Sequence, residues 1–236
     1  MINNIFLPGT DQQITLLAGH LDLTGMNVLI IGGGSEDIAA KLKEKGAGSV
    51  IIIVDDNDSL LTLRLYLGKS TDIKIRMMEY DNTDFLEPNF DLVYAQASVS
   101  NKKRNKIIKE VKRILKPEGY FCVGENINLL PDVPEFVKDV WESSNITPLN
   151  LENADKYYRG KNFKVYNEFD LSSTLKEFYR TGRNLLEERL SSLTDNEKSY
   201  YKKILKQISH ESNVYLKLGG DKYMGFRMFI LRKGKE

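Results

Sequence analysis

Short, uninterrupted apolar runs alternate with helical patterns along the first half of the chain. Val28-Leu29-Ile30-Ile31 is followed by Glu36 to Lys45, where Ile38 and Leu42 fall four apart on one helix face, and then by Val50-Ile51-Ile52-Ile53-Val54. β-branched runs without polar alternation suit strands covered on both faces, as in a parallel sheet, so these segments read as a β-α-β unit. Gly46 supplies the left-handed residue that ends the helix. The unit repeats: Asp58 or Ser59 caps a helix through Leu67, Gly68 closes it, and Ile73 to Met78 is a third strand. Phe90 to Tyr94 reads as a fourth strand, Arg104 to Leu115 as a helix, Pro117-Glu118-Gly119 as a turn and Tyr120 to Gly124 as a fifth strand. Strands alternating with helices imply an α/β fold with a doubly wound, mostly parallel sheet.

The rhythm changes after Glu125. Pro131, Pro134 and Pro148 interrupt the chain, a helix fits Val133 to Trp141, and long helical patterns span Ser172–Leu193 and Asp195–His210. Asp195 reads as an N-cap, and Leu185, Leu186 and Leu190 make an apolar stripe. Val214–Leu218, a Gly219-Gly220-Asp221 turn and Met224–Arg232 read as an antiparallel β-hairpin on the sheet edge. The expected layout is one domain: a helical lead-in over 1–26, a core over 27–125, a helical insertion or cover over 126–211 and a closing hairpin over 212–236.

Composition narrows the function. The 236 residues carry 34 Lys+Arg against 33 Asp+Glu, so no overall field draws the protein to nucleic acid or anionic lipid. A single cysteine excludes an intramolecular disulfide and a multi-cysteine zinc site. Met1 to Gly9 lacks the basic flank and apolar stretch of a signal peptide, and no apolar run is long enough to span a membrane. The expectation is a cytoplasmic protein without a metal site; self-association is left open.

The chemistry concentrates in Gly32-Gly33-Gly34-Ser35, a glycine-rich turn between the first strand and the first helix. Glycine lets the backbone approach a ligand without a Cβ clash, and free N–H groups at a helix start favour an anionic or polar ligand group. Asp55 ends the second strand about 20 residues further on, where a carboxylate accepts two hydrogen bonds from a ribose diol. In the same Asp55-Asp56-Asn57-Asp58 cluster, Asp58 reads as a helix cap and Asp56 as solvated.

With these motifs the chain resembles the class I S-adenosylmethionine-dependent methyltransferases of small-molecule type. The resemblance covers most of residues 5 to 125 and the terminal hairpin. Leu7-Pro8-Gly9-Thr10, Leu16-Leu17 and Gly25 to Gly34 are similar to the lead-in and glycine loop, and Phe90-Asp91-Leu92-Val93 with Ile114-Leu115-Lys116-Pro117-Glu118-Gly119 to the fourth strand and the turn into the fifth. The resemblance implies a Rossmann-like fold and methyl transfer by in-line displacement, with S-adenosylhomocysteine as product. It also implies that Gly32, Gly33, Gly34 and Ser35 line the cofactor's methionine side, that Asp55 with Asp56 meets the ribose, and that Asp81 and Asn82 lie near the adenine amine. Gln96, a cofactor contact, and Ser98, a substrate contact, would face the transferable methyl. Glu118 replaces a common glycine in the later turn at an exposed site, where little should follow, and two further positions depart from the pattern. Ile30 stands where the family usually has an acidic residue, and Glu36 where the third glycine of the loop falls. They keep a second reading in play, a catalytically silent binding or partner module of the same fold.

The triple glycine also resembles polyamine aminopropyltransferases, which place acidic residues after the fourth strand. Here Ala95-Gln96-Ala97-Ser98 carries none, so that reading is minor. Lys102 to Arg113 reads as the solvated face of an amphipathic helix. Lys156 to Lys164 interleaves aromatics with positive charge, which suits stacking and phosphate contacts, but overall neutrality disfavours nucleic acid. In the cover reading, Tyr157 or Tyr158 shapes an acceptor pocket and Arg159 fixes a negative group. Trp141 reads as core, His20 as a surface or packing residue, and His210 as a helix-terminal residue. No catalytic residue is named.

Overall fold

The computed structural model describes residues 5–68, 72–192 and 194–234. Met1–Asn4 and Leu193, which enter the readings above, lie outside the described residues, as does the side chain of the expected cap Asp195. The order is α1 (Thr10–His20), β1 (Asn27–Ile31), α2 (Glu36–Glu44), β2 (Ser49–Val54), α3 (Asn57–Leu67), β3 (Ile73–Met77), β4 (Phe90–Gln96), α4 (Arg104–Ile114) and β5 (Leu115–Asn128). It continues with α5 (Glu135–Ser143), β6 (Leu149–Asn150), α6 (Ala154–Arg159), β7 (Phe163–Asp170), α7 (Thr174–Ser192), α8 (Asp195–Lys217) and β8 (Met224–Lys233).

One sheet runs β3-β2-β1-β4-β5-β8-β7, with β6 paired to the far end of β5. β1 to β5 are parallel, and β8 lies antiparallel between β5 and β7. The apolar runs are strands because both their faces are covered. Val28, Ile30, Val50, Ile52 and Leu92 pack towards α1, α2 and α3, while Leu29, Ile31, Ile53 and Val93 pack towards Ile107, Ile108 and Val111 of α4. Strand order reverses between β1 and β4, which leaves a crevice at the carboxyl ends of the strands. Trp141 is buried, as expected. Among the described residues no helix is long and apolar enough to cross a membrane.

The second half departs from the sequence reading in four ways. The region after Glu125 is not all helical, because β7 lies within it. A register shift between Val165 and Asn167 breaks the alternation that would have marked this strand. The sheet does end antiparallel, but β8 pairs with β5 and β7, and Val214–Lys217 is the last turn of α8 rather than a hairpin strand. Tyr215 stacks on Tyr179 of α7 at 4.6 Å, so packing between the two helices overrides local β preference. His210 consequently lies inside α8 rather than at a helix end.

Two further corrections are local. The cap of α3 is Asp56, whose carboxylate accepts from Ser59 N at 2.8 Å, and not Asp58 or Ser59. The Pro117–Gly119 turn is an irregularity within β5, with Glu118 held at φ 60.

Candidate cofactor site

The carboxyl ends of β1, β2, β3 and β4 bring the expected residues to one edge of the sheet. Gly32 and Gly34 have φ of 122° and 67°, a region open to glycine and strained for other residues. The Ser35 hydroxyl is buried and donates to Gly32 O, which stitches the turn together. Ser35 gives no side-chain cap to α2, so the first N–H groups of that helix have no side-chain acceptor from it. Glu36, half-buried, is the first residue of α2, and Ile30 lies 1% exposed in the core.

Asp55 is exposed just beyond β2, and the buried Tyr80 lines the same cavity close enough to feel its charge. Burial, and then the Asp55 charge, raises the Tyr80 pKa far above the ordinary phenol range, so Tyr80 stays a neutral donor. Asp81 is nearby on the turn after β3, and Lys103 at the start of α4 reaches Glu79 at 2.6 Å and Asp81 at 3.2 Å. Asp55, Tyr80, Asp81, Asn101, Lys103 and Asn145 line a cavity of about 180 Å³. A larger cavity, about 680 Å³, lies between α7 and α8; it shares no lining residue with the glycine turn or Asp55.

The loops around the 180 Å³ cavity are cross-tied. Glu125, fully buried on β5, accepts from Arg104 Nε at 3.0 Å, from the Ser100 hydroxyl and from the Tyr158 hydroxyl at 2.6 Å. Arg104 also donates to Thr147 O, and Thr147 N donates to Ser100 O at 2.8 Å. Below Asp81, Thr83 N donates to Glu110 of α4 at 2.9 Å. Ala97 and Asn145 take the left-handed region, at φ 61 and 52, with Ala97 N donating to Gly124 O and Asn145 N to Glu142 O, each at 3.1 Å. Such conformations cost about 1–3 kcal/mol each and cluster at ligand sites.

Several of the expected residues are engaged within the protein or lie off the cavity. Gln96 is 4% exposed and committed: Tyr94 donates to its Oε1 at 2.6 Å, and its Nε2 donates to Pro8 O and Thr10 O. Its amide therefore pins the N-terminal segment instead of facing a ligand. Asp56 caps α3 through its Oδ1. Asn82 is exposed and does not line the cavity. Ser98 does reach the glycine turn, where its hydroxyl donates to Ile31 O at 2.6 Å and its Cβ lies 2.8 Å from where a Cβ on Gly32 would stand.

Tyr157, Tyr158 and Arg159 do not shape a pocket over this edge. They belong to α6, whose Ala154 and Tyr158 pack on the sheet face that carries α4. Tyr158 is fully buried, Tyr157 donates to Asn105 at 2.8 Å, and Arg159 pairs with Asp155 one turn away. The sequence reading missed Tyr80, Lys103, Asn145 and the Arg104–Glu125 pair. A signal for the pair existed: Arg104 falls on the apolar stripe of Ile107, Ile108 and Val111, and Glu125 follows an apolar strand.

The family model described as a methyltransferase domain matches residues 29–123, from β1 to the middle of β5. Over residues 29–123 the chain is similar to that family. A comparison with curated proteins returns no match. Among solved structures, a candidate sarcosine dimethylglycine methyltransferase from Galdieria sulphuraria superposes with TM-score 0.76 at 15% identity, over 95% of this chain and 84% of that one. The [4+2]-cyclase SpnF gives 0.75 at 19%, over 96% and 81%. Phosphoethanolamine N-methyltransferase 2 of Haemonchus contortus, solved with phosphomonomethylethanolamine and S-adenosylhomocysteine, gives 0.75 at 18%, over 95% of this chain but 53% of that protein. At these identities the likeness is one of fold.

This edge of the sheet fits an adenosyl cofactor better at one end than at the other. Asp55, Tyr80 and Asp81 present a carboxylate, a neutral donor and a second carboxylate to an open cavity, which suits a ribose and an adenine amine. At the methionine end Gly34 is exposed and the α2 N-terminus has no side-chain cap, but Ser98 crowds Gly32, and the position of a Gly34 Cβ is 3.6 Å from Leu7.

Proposed function

We propose that the chain binds S-adenosylmethionine and transfers its methyl group to a small-molecule acceptor in the cytoplasm. The observation that carries this reading is the convergence of Asp55, Tyr80 and Asp81 on one cavity at the carboxyl end of β2, the strand paired in parallel with the β1 strand that leads into the glycine turn. Asp55 accepts from the ribose hydroxyls, Tyr80 orients that carboxylate, Asp81 meets the adenine amine, and Gly32 to Ser35 with the N-terminus of α2 takes the methionine side. When bound, the cofactor supplies a sulfonium methyl that is already electrophilic. What remains for the protein is to hold the acceptor in line and exclude water. Neither histidine lines the 180 Å³ cavity: His20 is exposed, bonds Leu16 O at 2.8 Å and packs on Phe169, and His210 lies on α8, where it lines the cavity between α7 and α8.

The acceptor side is assigned to the N-terminal segment with α7 and α8, acting as a cover. Leu7 faces the glycine turn, Phe6 packs on Phe178 at 5.1 Å, and Gly9 N donates to Thr174 at the start of α7 at 3.0 Å. Known members of the fold act on acceptors as different as phosphomonomethylethanolamine and geranyl diphosphate, so fold alone does not choose one here. Calorimetry with S-adenosylmethionine, S-adenosylhomocysteine and NADH tests the reading: micromolar binding of the first two and none of NADH supports it, and the reverse order overturns it.

A second reading, a binding module without methyl transfer, draws support from the commitment of Gln96 and Ser98 to internal bonds at the methyl end. The fold also serves the [4+2]-cyclase. Binding of S-adenosylhomocysteine together with no turnover across an acceptor panel would favour it.

A further inference from the structure

Lys103 occupies an unusual place for a cation. It is the residue before α4, where the helix dipole disfavours positive charge, and the first turn of that helix holds no acidic residue to offset it. Its ammonium instead crosses to the turn after β3, 2.6 Å from Glu79 Oε2 and 3.2 Å from Asp81 Oδ1. All three residues line the cavity that the cofactor reading gives to the adenosyl group. The Asp81 side chain is only 13% exposed, and its Oδ1 already holds a donor.

We propose that Lys103 is a latch across the nucleoside end of the cavity, competing with the adenine amine for Asp81 and so setting cofactor affinity. The inference rests on the cofactor reading above. The strength of the latch follows from its exposure. Lys103 and Glu79 are 55% and 58% exposed, and ion pairs of that kind are weak and screened by salt. A ligand therefore opens the latch at modest cost, and the closed form lowers apparent affinity in proportion to its population. S-adenosylhomocysteine is a zwitterion without net charge, so its own contacts give little salt dependence of the opposite sign.

The test is calorimetric titration of S-adenosylhomocysteine into the full chain and the Lys103→Met variant, each at low and high ionic strength. Methionine keeps most of the stem and removes the charge. The latch predicts about three- to tenfold tighter binding by Lys103→Met at low salt, the equivalent of one or two exposed ion pairs. It also predicts that wild-type affinity rises with salt until the gap closes. The salt series on wild type needs no variant, so a misfolded Lys103→Met would not remove the test. Equal or weaker binding by a folded Lys103→Met, or wild-type affinity that is flat or falls with salt, overturns the latch and leaves the cofactor reading standing. Failure of both proteins to bind overturns both.

Discussion

The nucleoside end and the methyl end of the site lie on the same strand termini but are filled differently. At the nucleoside end Asp55, Tyr80 and Asp81 converge on an open cavity, and their supports come from below, through Glu110 to Thr83 and through Glu125 to Arg104 and Ser100. At the methyl end the chain's own side chains take the space: Gln96 holds Pro8 and Thr10, Ser98 lies on Gly32, and Leu7 lies beside Gly34. A preformed half and a strapped half imply an order of events. On the proposed reading the ligand would be recognised first by its nucleoside, and the N-terminal segment with α7 would have to move to admit the rest.

The largest expected effect breaks the nucleoside half. Asp55→Ala removes a charged acceptor from the ribose and should weaken S-adenosylhomocysteine binding by about 1.5–3 kcal/mol, read by calorimetry. Unchanged affinity would move the nucleoside elsewhere. On the other half, Gln96→Ala leaves the buried Tyr94 hydroxyl and the carbonyls of Pro8 and Thr10 without their partner. The expected cost is about 1–3 kcal/mol in chemical denaturation, with faster hydrogen exchange over residues 5–10 and no loss of cofactor affinity. A large loss of affinity would make Gln96 a ligand contact after all. In the wild type, S-adenosylhomocysteine should slow exchange in the N-terminal segment and in α7; protection confined to Gly32–Gly34 and Asp55 would remove those elements from the site.

How much of this was legible follows the same division. The β-α-β rhythm, the glycine turn and Asp55 could be read because both faces of their strands are buried, which leaves continuous apolar runs with the ligand groups at the ends. β7 was not legible, because its bulge at Tyr166 mixes the faces, and the last turn of α8 was misread because the stacking of Tyr179 on Tyr215 decides its conformation. Tyr158 looked like a binding aromatic on composition. Its position under Glu125 depends on α6 folding back on the sheet, a contact between distant segments that local pattern does not encode.

A smaller effect probes the support of Asp81. Burial pushes the Glu110 pKa up, but Arg113 and Thr83 together outweigh it and hold the group below its usual 4.5. A depressed folded-state pKa gives stability that is complete above the unfolded value and lost as pH falls through the folded one. Glu110→Gln should cost about 1–2 kcal/mol at neutral pH, and the difference from wild type should begin to shrink as pH falls through about 4.5 and vanish only once pH is below the lower folded-state value. A difference that persists in acid would assign the effect to shape instead of charge. Smallest is Glu36→Gly at the start of α2, expected to leave cofactor affinity unchanged and lower stability by about 0.5–1 kcal/mol. Tighter binding would show that the Glu36 side chain crowds the methionine end.

The most direct measurement is a crystal structure of the full chain with S-adenosylhomocysteine. The account predicts ribose hydroxyls on the Asp55 carboxylate, the adenine amine at Asp81 in place of Lys103, and residues 7–10 displaced from Gly34. A nucleoside bound away from Asp55, for example in the cavity between α7 and α8, would contradict it.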